Sequence, residues 1–131
     1  MSEECFEVDV PVRIRDVDFM GHVNNAIYAT YLEQTREMFY REVLGKSLVD
    51  LDTVLASLSI DFEREMRADQ TVTVAIVETE LGDSSIRMTY EIRANGDRAA
   101  TASSVQVFVD ESGRACPIPS AYRSRFVEAL E

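Results

Sequence analysis

Asn24-Asn25-Ala26-Ile27-Tyr28-Ala29-Thr30-Tyr31-Leu32-Glu33-Gln34-Thr35-Arg36-Glu37-Met38-Phe39-Tyr40-Arg41-Glu42-Val43-Leu44-Gly45 is the stretch on which the fold turns. Ile27, Tyr28, Tyr31, Leu32, Thr35, Met38, Phe39 and Val43 recur there at three- and four-residue steps, the period of a helix with one apolar stripe. Asn24 or Asn25 offers a side-chain acceptor to the orphan amides at its start, and Gly45 can take the left-handed conformation that ends it. Glu37 and Arg41 make a correctly oriented i,i+4 pair. Five or six turns span about 30 Å, enough to cross a small domain.

Upstream, Phe6, Val8, Val10, Val12 and Ile14 alternate with polar residues, predicting a strand with one buried face. Pro11 removes a ladder donor, so this strand belongs at an edge or carries a bulge. Downstream, Ser47 to Leu55 reads as a short helix or turn. Alternation then returns in Leu58-Ile60-Phe62, Val72-Val74-Ile76, Ile86-Met88-Tyr90-Ile92 and a strand from about Arg98 to Val109. Leu81-Gly82-Asp83-Ser84, Asn95-Gly96-Asp97 and Asp110-Glu111-Ser112-Gly113 are the turns between and after them. Following Pro117 and Pro119, Ser120 is expected to cap a last helix with Tyr122, Phe126, Val127 and Leu130 on one face. One strand, one long helix and four antiparallel strands predict a single α+β domain over residues 1–131, its helix stripe buried on the sheet. Both faces of Thr71 to Thr79 look suited to burial, which suggests cover by a second subunit.

The 131 residues carry 24 Asp plus Glu against 13 Lys plus Arg, a net charge of −11. That balance disfavours nucleic acid and anionic membranes, both of which need basic surface. Small molecules or proteins are the expected partners. Cys5 and Cys116 lie at opposite ends with no disulfide or thiolate-metal spacing, which fits a reducing cytoplasm. The amino terminus lacks a signal-peptide pattern, and no window approaches the ~20 apolar residues of a membrane span.

Functional side chains are densest in Arg15-Asp16-Val17-Asp18-Phe19-Met20-Gly21-His22-Val23-Asn24-Asn25, between the first strand and the long helix. Free amides and the positive end of the helix dipole gather there and can stabilise an oxyanion. Asp18 can act as general base or nucleophile, and His22 can orient it or bind substrate. Asp and Asn before a helix also serve as plain caps and turn residues. A calcium loop starting at Asp16 fails because Met20 and Ile27 would occupy ligand positions. One His and two distant Cys give no zinc spacing, and no nucleophile elbow accompanies His22. Carboxylate chemistry remains.

The run Arg13 to Tyr28 closely resembles the Asp-x-Asp-x-x-Gly-His-Val-Asn-Asn-x-x-Tyr segment of hotdog-fold acyl-CoA thioesterases of the 4-hydroxybenzoyl-CoA thioesterase type. Ser57 to Arg67 is similar to that family's second strand, Leu81 to Ser85 to its next hairpin, and Thr101 to Val109 with Gly113 and Pro117-Ile118-Pro119 to its last strand and exit. The resemblance implies a long helix wrapped by an antiparallel sheet of about five strands, in a homodimer or homotetramer with active sites at subunit interfaces. It implies hydrolysis of an acyl-CoA or acyl-carrier-protein thioester, with no metal and no dissociable cofactor. By the same likeness Asp18 is the catalytic group, Gly21 permits close approach, and the backbone N–H near Asn25 polarises the thioester oxygen. The His22 and Asn25 side chains orient water or substrate, and Val23, Asn24 and Tyr28 join the substrate-binding segment. Asp16 holds the loop with Arg15 or Arg13.

The family's best-known aromatic-substrate branch has an apolar residue where this chain has His22. A related branch carries its working carboxylate on the helix, which makes Glu33 and Glu37 candidates. Arg64 and Arg67 are the nearest cations for CoA phosphates, and Phe19, Met20, Tyr28 and Tyr31 are candidates for an acyl pocket or for core. An enoyl-thioester hydratase and a non-catalytic acyl-binding module are the alternatives. Twelve of the thirteen cations are arginine; with the acidity, this fits either a salt-accumulating halophile or a GC-rich genome.

Overall fold

The computed structural model describes residues 6–131. The readings of Cys5 and of the amino-terminal segment lie outside them. β1 (Phe6–Val10) is shorter than the alternation implies, because Pro11 cannot donate to the ladder; Ile14 begins a 3₁₀ turn, Ile14–Asp16, and is exposed. α1 (Asn25–Leu44) runs for 20 residues. The Asn24 side chain accepts from the Ala26 N–H, and Gly45, at φ +70°, ends the helix.

Glu37 does more than pair with Arg41. Its carboxylate takes Arg41 Nε at 2.6 Å and also accepts from Ser47 Oγ and the Leu48 N–H, tying α1 to the 3₁₀ turn Leu48–Asp50. Burial alone would push this carboxyl up, but the Leu48, Arg41 and Ser47 hydrogen bonds outweigh it and hold its pKa below the ordinary value.

Four strands follow: β2 (Thr53–Phe62), β3 (Val72–Leu81), β4 (Ser85–Ala94) and β5 (Asp97–Phe108). The sheet is antiparallel in the order β1-β3-β4-β5-β2, so β1 and β2 are its two edges. Asn95 and Gly96, both at positive φ, form the two-residue turn between β4 and β5, the geometry that matches strand twist. The inner residues Val72, Val74, Ile76, Ile86, Met88, Tyr90 and Ile92 are buried as the alternation predicts.

α1 lays Tyr28, Tyr31, Leu32, Phe39 and Leu44 into this core. Met38 is exposed instead, and Arg36 is buried, its Nη1 donating to the Tyr90 hydroxyl, which in turn lies 2.6 Å from Ser104 Oγ. α2 (Ser120–Leu130) starts at Ser120 without a side-chain cap. The expected capping role of Ser120 is therefore corrected: the residue is already helical, and Pro119 precedes it at the cap. Phe126 stacks on Phe39, Arg125 donates to the Leu44 carbonyl, and Val127 is exposed rather than packed.

Candidate active site

Asp16 sets the loop between β1 and α1. It is buried, and its Oδ2 accepts from the Arg13 N–H at 2.9 Å and from the Tyr31 hydroxyl at 2.8 Å, while its carbonyl accepts from the Asn24 N–H. The loop is thus tied to its own start and to the helix. Burial and the hydrogen bond to Asp16 push the Tyr31 phenol far up, so it remains a donor across the working pH range. Removing that hydroxyl leaves a buried carboxylate short of a donor, and hydrogen bonds to charged groups are worth about 1.5–3 kcal/mol. Tyr31→Phe is expected to lower unfolding stability by that amount, read as a lower urea midpoint at unchanged m value.

With the frame fixed, Asp18 to His22 close a tight turn. The Asp18 N–H donates to the His22 carbonyl at 2.8 Å and the Gly21 N–H to the Asp18 carbonyl at 3.0 Å, with Gly21 at φ +83°. Only glycine takes that φ without strain. The Asp18 side chain completes the turn: Oδ1 accepts from the Met20 N–H at 2.9 Å and the His22 N–H at 3.1 Å. Oδ2 has no protein donor among the described residues.

A bridge from Val17 to Val23 closes the loop on itself, and a bridge from His22 to Arg67 with a hydrogen bond from the Val23 N–H to the Met66 carbonyl lays it against the chain leaving β2. The resulting cavity, about 590 Å³, is lined by Asp18, His22, Val23, Asn24, Asn25 and Tyr28. Its other wall is Phe62, Glu63, Arg64 and Glu65, with Met20 at the side. Phe62 packs edge-on against Tyr28, ring centroids 4.9 Å apart. Burial, with a contribution from Glu65, raises the Tyr28 pKa and keeps its hydroxyl a neutral donor.

At the helix start the Asn24, Ala26 and Ile27 amides are taken by Asp16 O, Asn24 Oδ1 and Asn24 O. The Asn25 N–H has no protein acceptor among the described residues, and it sits at the positive end of the helix dipole. His22 Nε2 lies 3.3 Å from Glu65 Oε1. Phe62 and Glu65 are cavity residues that the sequence does not single out as such; the bridge between His22 and Arg67 that brings Glu65 near is invisible in local sequence pattern.

Several expected residues fall elsewhere. Glu33 lines a separate groove with Asp9 and Arg13, because five residues along a helix turn it to the side away from Tyr28. Glu37 is committed to Arg41, Ser47 and Leu48. Arg67 uses its backbone in the bridge, and its exposed side chain is not part of the cavity lining. Tyr31 is core, and Phe19 projects into solvent at 98% exposure. Among the described residues no cluster of three or more His, Cys, Asp or Glu is placed to hold a metal ion, and no helix is long and apolar enough to cross a membrane.

Known proteins share this fold. A structure of a thioesterase complexed with coenzyme A and zinc from Thermus thermophilus is 37% identical, superposes with a TM-score of 0.82, and is matched over 91% of this chain and 94% of its own. A predicted thioesterase from Bacillus stearothermophilus is 26% identical with a TM-score of 0.86, over 98% of both chains. An acyl-acyl carrier protein thioesterase of Arabidopsis thaliana, ATL3, chloroplastic, is 30% identical over 97% of this chain and 70% of its own length. The family model of the thioesterase-like superfamily matches residues 12–126, from just after β1 into α2. With that match spanning most of the loop, the helix and four of the five strands, this chain belongs to the thioesterase-like superfamily and is a thioester hydrolase of the hotdog fold.

Proposed function

We propose that the enzyme cleaves acyl thioesters of coenzyme A or of an acyl carrier protein in the cavity beside Asp18, and that it works as a homodimer or a pair of dimers. The observation that carries this reading is the divided use of the Asp18 carboxylate. Oδ1 is held by two backbone donors, which fixes the group, while Oδ2 is left free to react.

As a base, Oδ2 takes a proton from a water whose oxygen bonds to the thioester carbon; the C–S bond then breaks and the thiolate recovers the proton. As a nucleophile, Oδ2 bonds to that carbon itself, expels the thiolate, and water cleaves the resulting anhydride. Either route places negative charge on the carbonyl oxygen, and the unclaimed Asn25 N–H at the start of a 20-residue helix is suited to receive it. Arg64, at the cavity with no carboxylate within 4 Å among the described residues, and Arg67 beyond it supply cations for the phosphates of CoA or of a phosphopantetheine arm. The CoA bound by the Thermus relative and the carrier-protein substrate in the Arabidopsis relative's name support both thioester carriers.

Support for the dimer comes from β2. It is an edge strand of 10 residues with one side of its backbone unpaired, and Val54, Leu55 and Phe62 on it are exposed. Such an edge is a template for a second copy.

Acetyl-, decanoyl- and benzoyl-CoA offered to the purified protein test the reaction, with free thiol as the readout; release from at least one is expected. Loss of the enoyl absorbance of crotonyl-CoA without thiol would assign hydration instead. No thiol from any ester, together with a raised Tm in its presence, would leave an acyl-binding module.

A further inference from the structure

Besides Asp18 the cavity is lined by two carboxylates, Glu63 and Glu65, and the Asp18 chemistry does not explain the position of Glu65. Glu65 follows the end of β2, where the Glu63 and Arg64 amides both donate to the Ala99 carbonyl and turn the chain toward the loop. Its Oε1 lies 3.3 Å from His22 Nε2. The His22 backbone is itself fixed: its N–H donates to Asp18 Oδ1, its carbonyl accepts from the Asp18 N–H, and it bridges to Arg67. A ring carried on so rigid a backbone has one main freedom left, rotation of its own side chain, and Glu65 meets it at one nitrogen.

The consequence follows from imidazole chemistry. In the neutral ring one nitrogen donates and the other accepts. A carboxylate beside Nε2 calls for the proton there, which leaves Nδ1 bare as an acceptor. The charged and titratable groups around the ring are Asp18 in its own loop, Tyr28 on α1, and Glu63, Arg64, Glu65 and Arg67 on the segment after β2. Glu63 is engaged by Arg98 at 2.9 Å, which leaves Glu65 as the carboxylate that meets the ring directly.

We infer that Glu65 is a positioning residue that holds His22 in its Nε2-protonated tautomer, so that Nδ1 serves as a hydrogen-bond acceptor that orients water or substrate beside Asp18. This rests on the thioesterase reading of the same cavity. It assigns a role in turnover to a residue on the β2 exit, and it makes the hydrolysis depend on two carboxylates with different tasks. Asp18 reacts, and Glu65 sets the ring.

His22 is the only histidine in the chain, so its ring nitrogens give an unambiguous NMR signal. At pH 8 the wild-type ring is expected as a single Nε2-protonated tautomer, and Glu65→Ala as a mixture of the two. In kinetics, Glu65→Gln is expected to lower kcat about tenfold with KM changed less than about twofold. Glu65→Asp should recover part of the loss. In a His22→Gln background Glu65→Gln should have no further effect, the signature of residues acting as one unit. An unchanged tautomer in Glu65→Ala, or a loss of equal size with and without His22, would overturn the assignment. The NMR readout needs no substrate, so an inactive wild type with the expected tautomer shift would sink the thioesterase reading of the cavity and leave the pairing standing.

Discussion

Asp18→Asn is expected to lower kcat/KM for acyl-CoA hydrolysis by at least ~10²-fold, within the ~10²–10⁴ range supplied by a positioned acid or base. The fold should persist. The amide oxygen of asparagine can accept the Met20 and His22 N–H groups that now meet Oδ1, and the NH₂ then replaces Oδ2, which is the atom with no protein donor. That substitution removes both the basicity and the nucleophilicity of the position while keeping its shape. Stability should change by less than about 1 kcal/mol, since one charged acceptor becomes a neutral one in a partly exposed turn. Asp18→Ala takes away the turn's acceptor as well, so it should lose activity to the same degree and stability in addition. Steady-state kinetics beside urea unfolding separates the two effects. Hydrolysis by Asp18→Asn within a few-fold of wild type, at matched folding, would remove Asp18 from the reaction.

The residues that can be read from sequence are those whose role depends on near neighbours. Asn24 caps α1 and Gly45 ends it because a cap and a left-handed residue are local requirements, and Asn95-Gly96 turns a hairpin for the same reason. Asp16 is legible as the loop's anchor too, though its donors are the Arg13 backbone and the Tyr31 hydroxyl rather than an arginine side chain. What sequence misses is tertiary. Tyr28, Leu32, Arg36 and Tyr40 stand four apart, so spacing alone puts Arg36 on the buried line, but its charge hides it from a count of apolar positions. It is accommodated by a hydroxyl on β4 that also meets Ser104 on β5, a relation only the folded sheet creates. Glu33 looks eligible because sequence gives the helix face without saying which face meets the loop. Glu65 escapes notice because the residues that bring it to His22 are a strand exit and a loop bridge with no periodic pattern of their own.

The same limit bears on β2, whose Leu58-Ile60-Phe62 alternation looks like an ordinary half-buried strand. In the protomer Leu58 and Ile60 are half-buried and Phe62 is exposed, at 46%. Phe62 also forms the wall of the cavity against Tyr28, so whatever covers β2 approaches the reacting groups. A second copy pairing along this edge would place each substituted residue in the interface twice, once from each chain. Val54→Lys with Leu55→Lys therefore puts four unpaired cations into an otherwise apolar contact, where burying an uncompensated charge costs several kcal/mol. Both side chains are already exposed in the protomer, so the protomer itself should stay folded. The double variant is expected to sediment as a monomer at concentrations where wild type is expected to be a dimer or larger, and to lose about 10²-fold or more in kcat/KM as the Phe62 wall loses its support. Restored activity on raising the protein concentration would tie the loss to assembly rather than to a damaged site. A variant that remains an oligomer of wild-type size would move the interface off β2, and a fully active monomer would show that one chain holds the complete site.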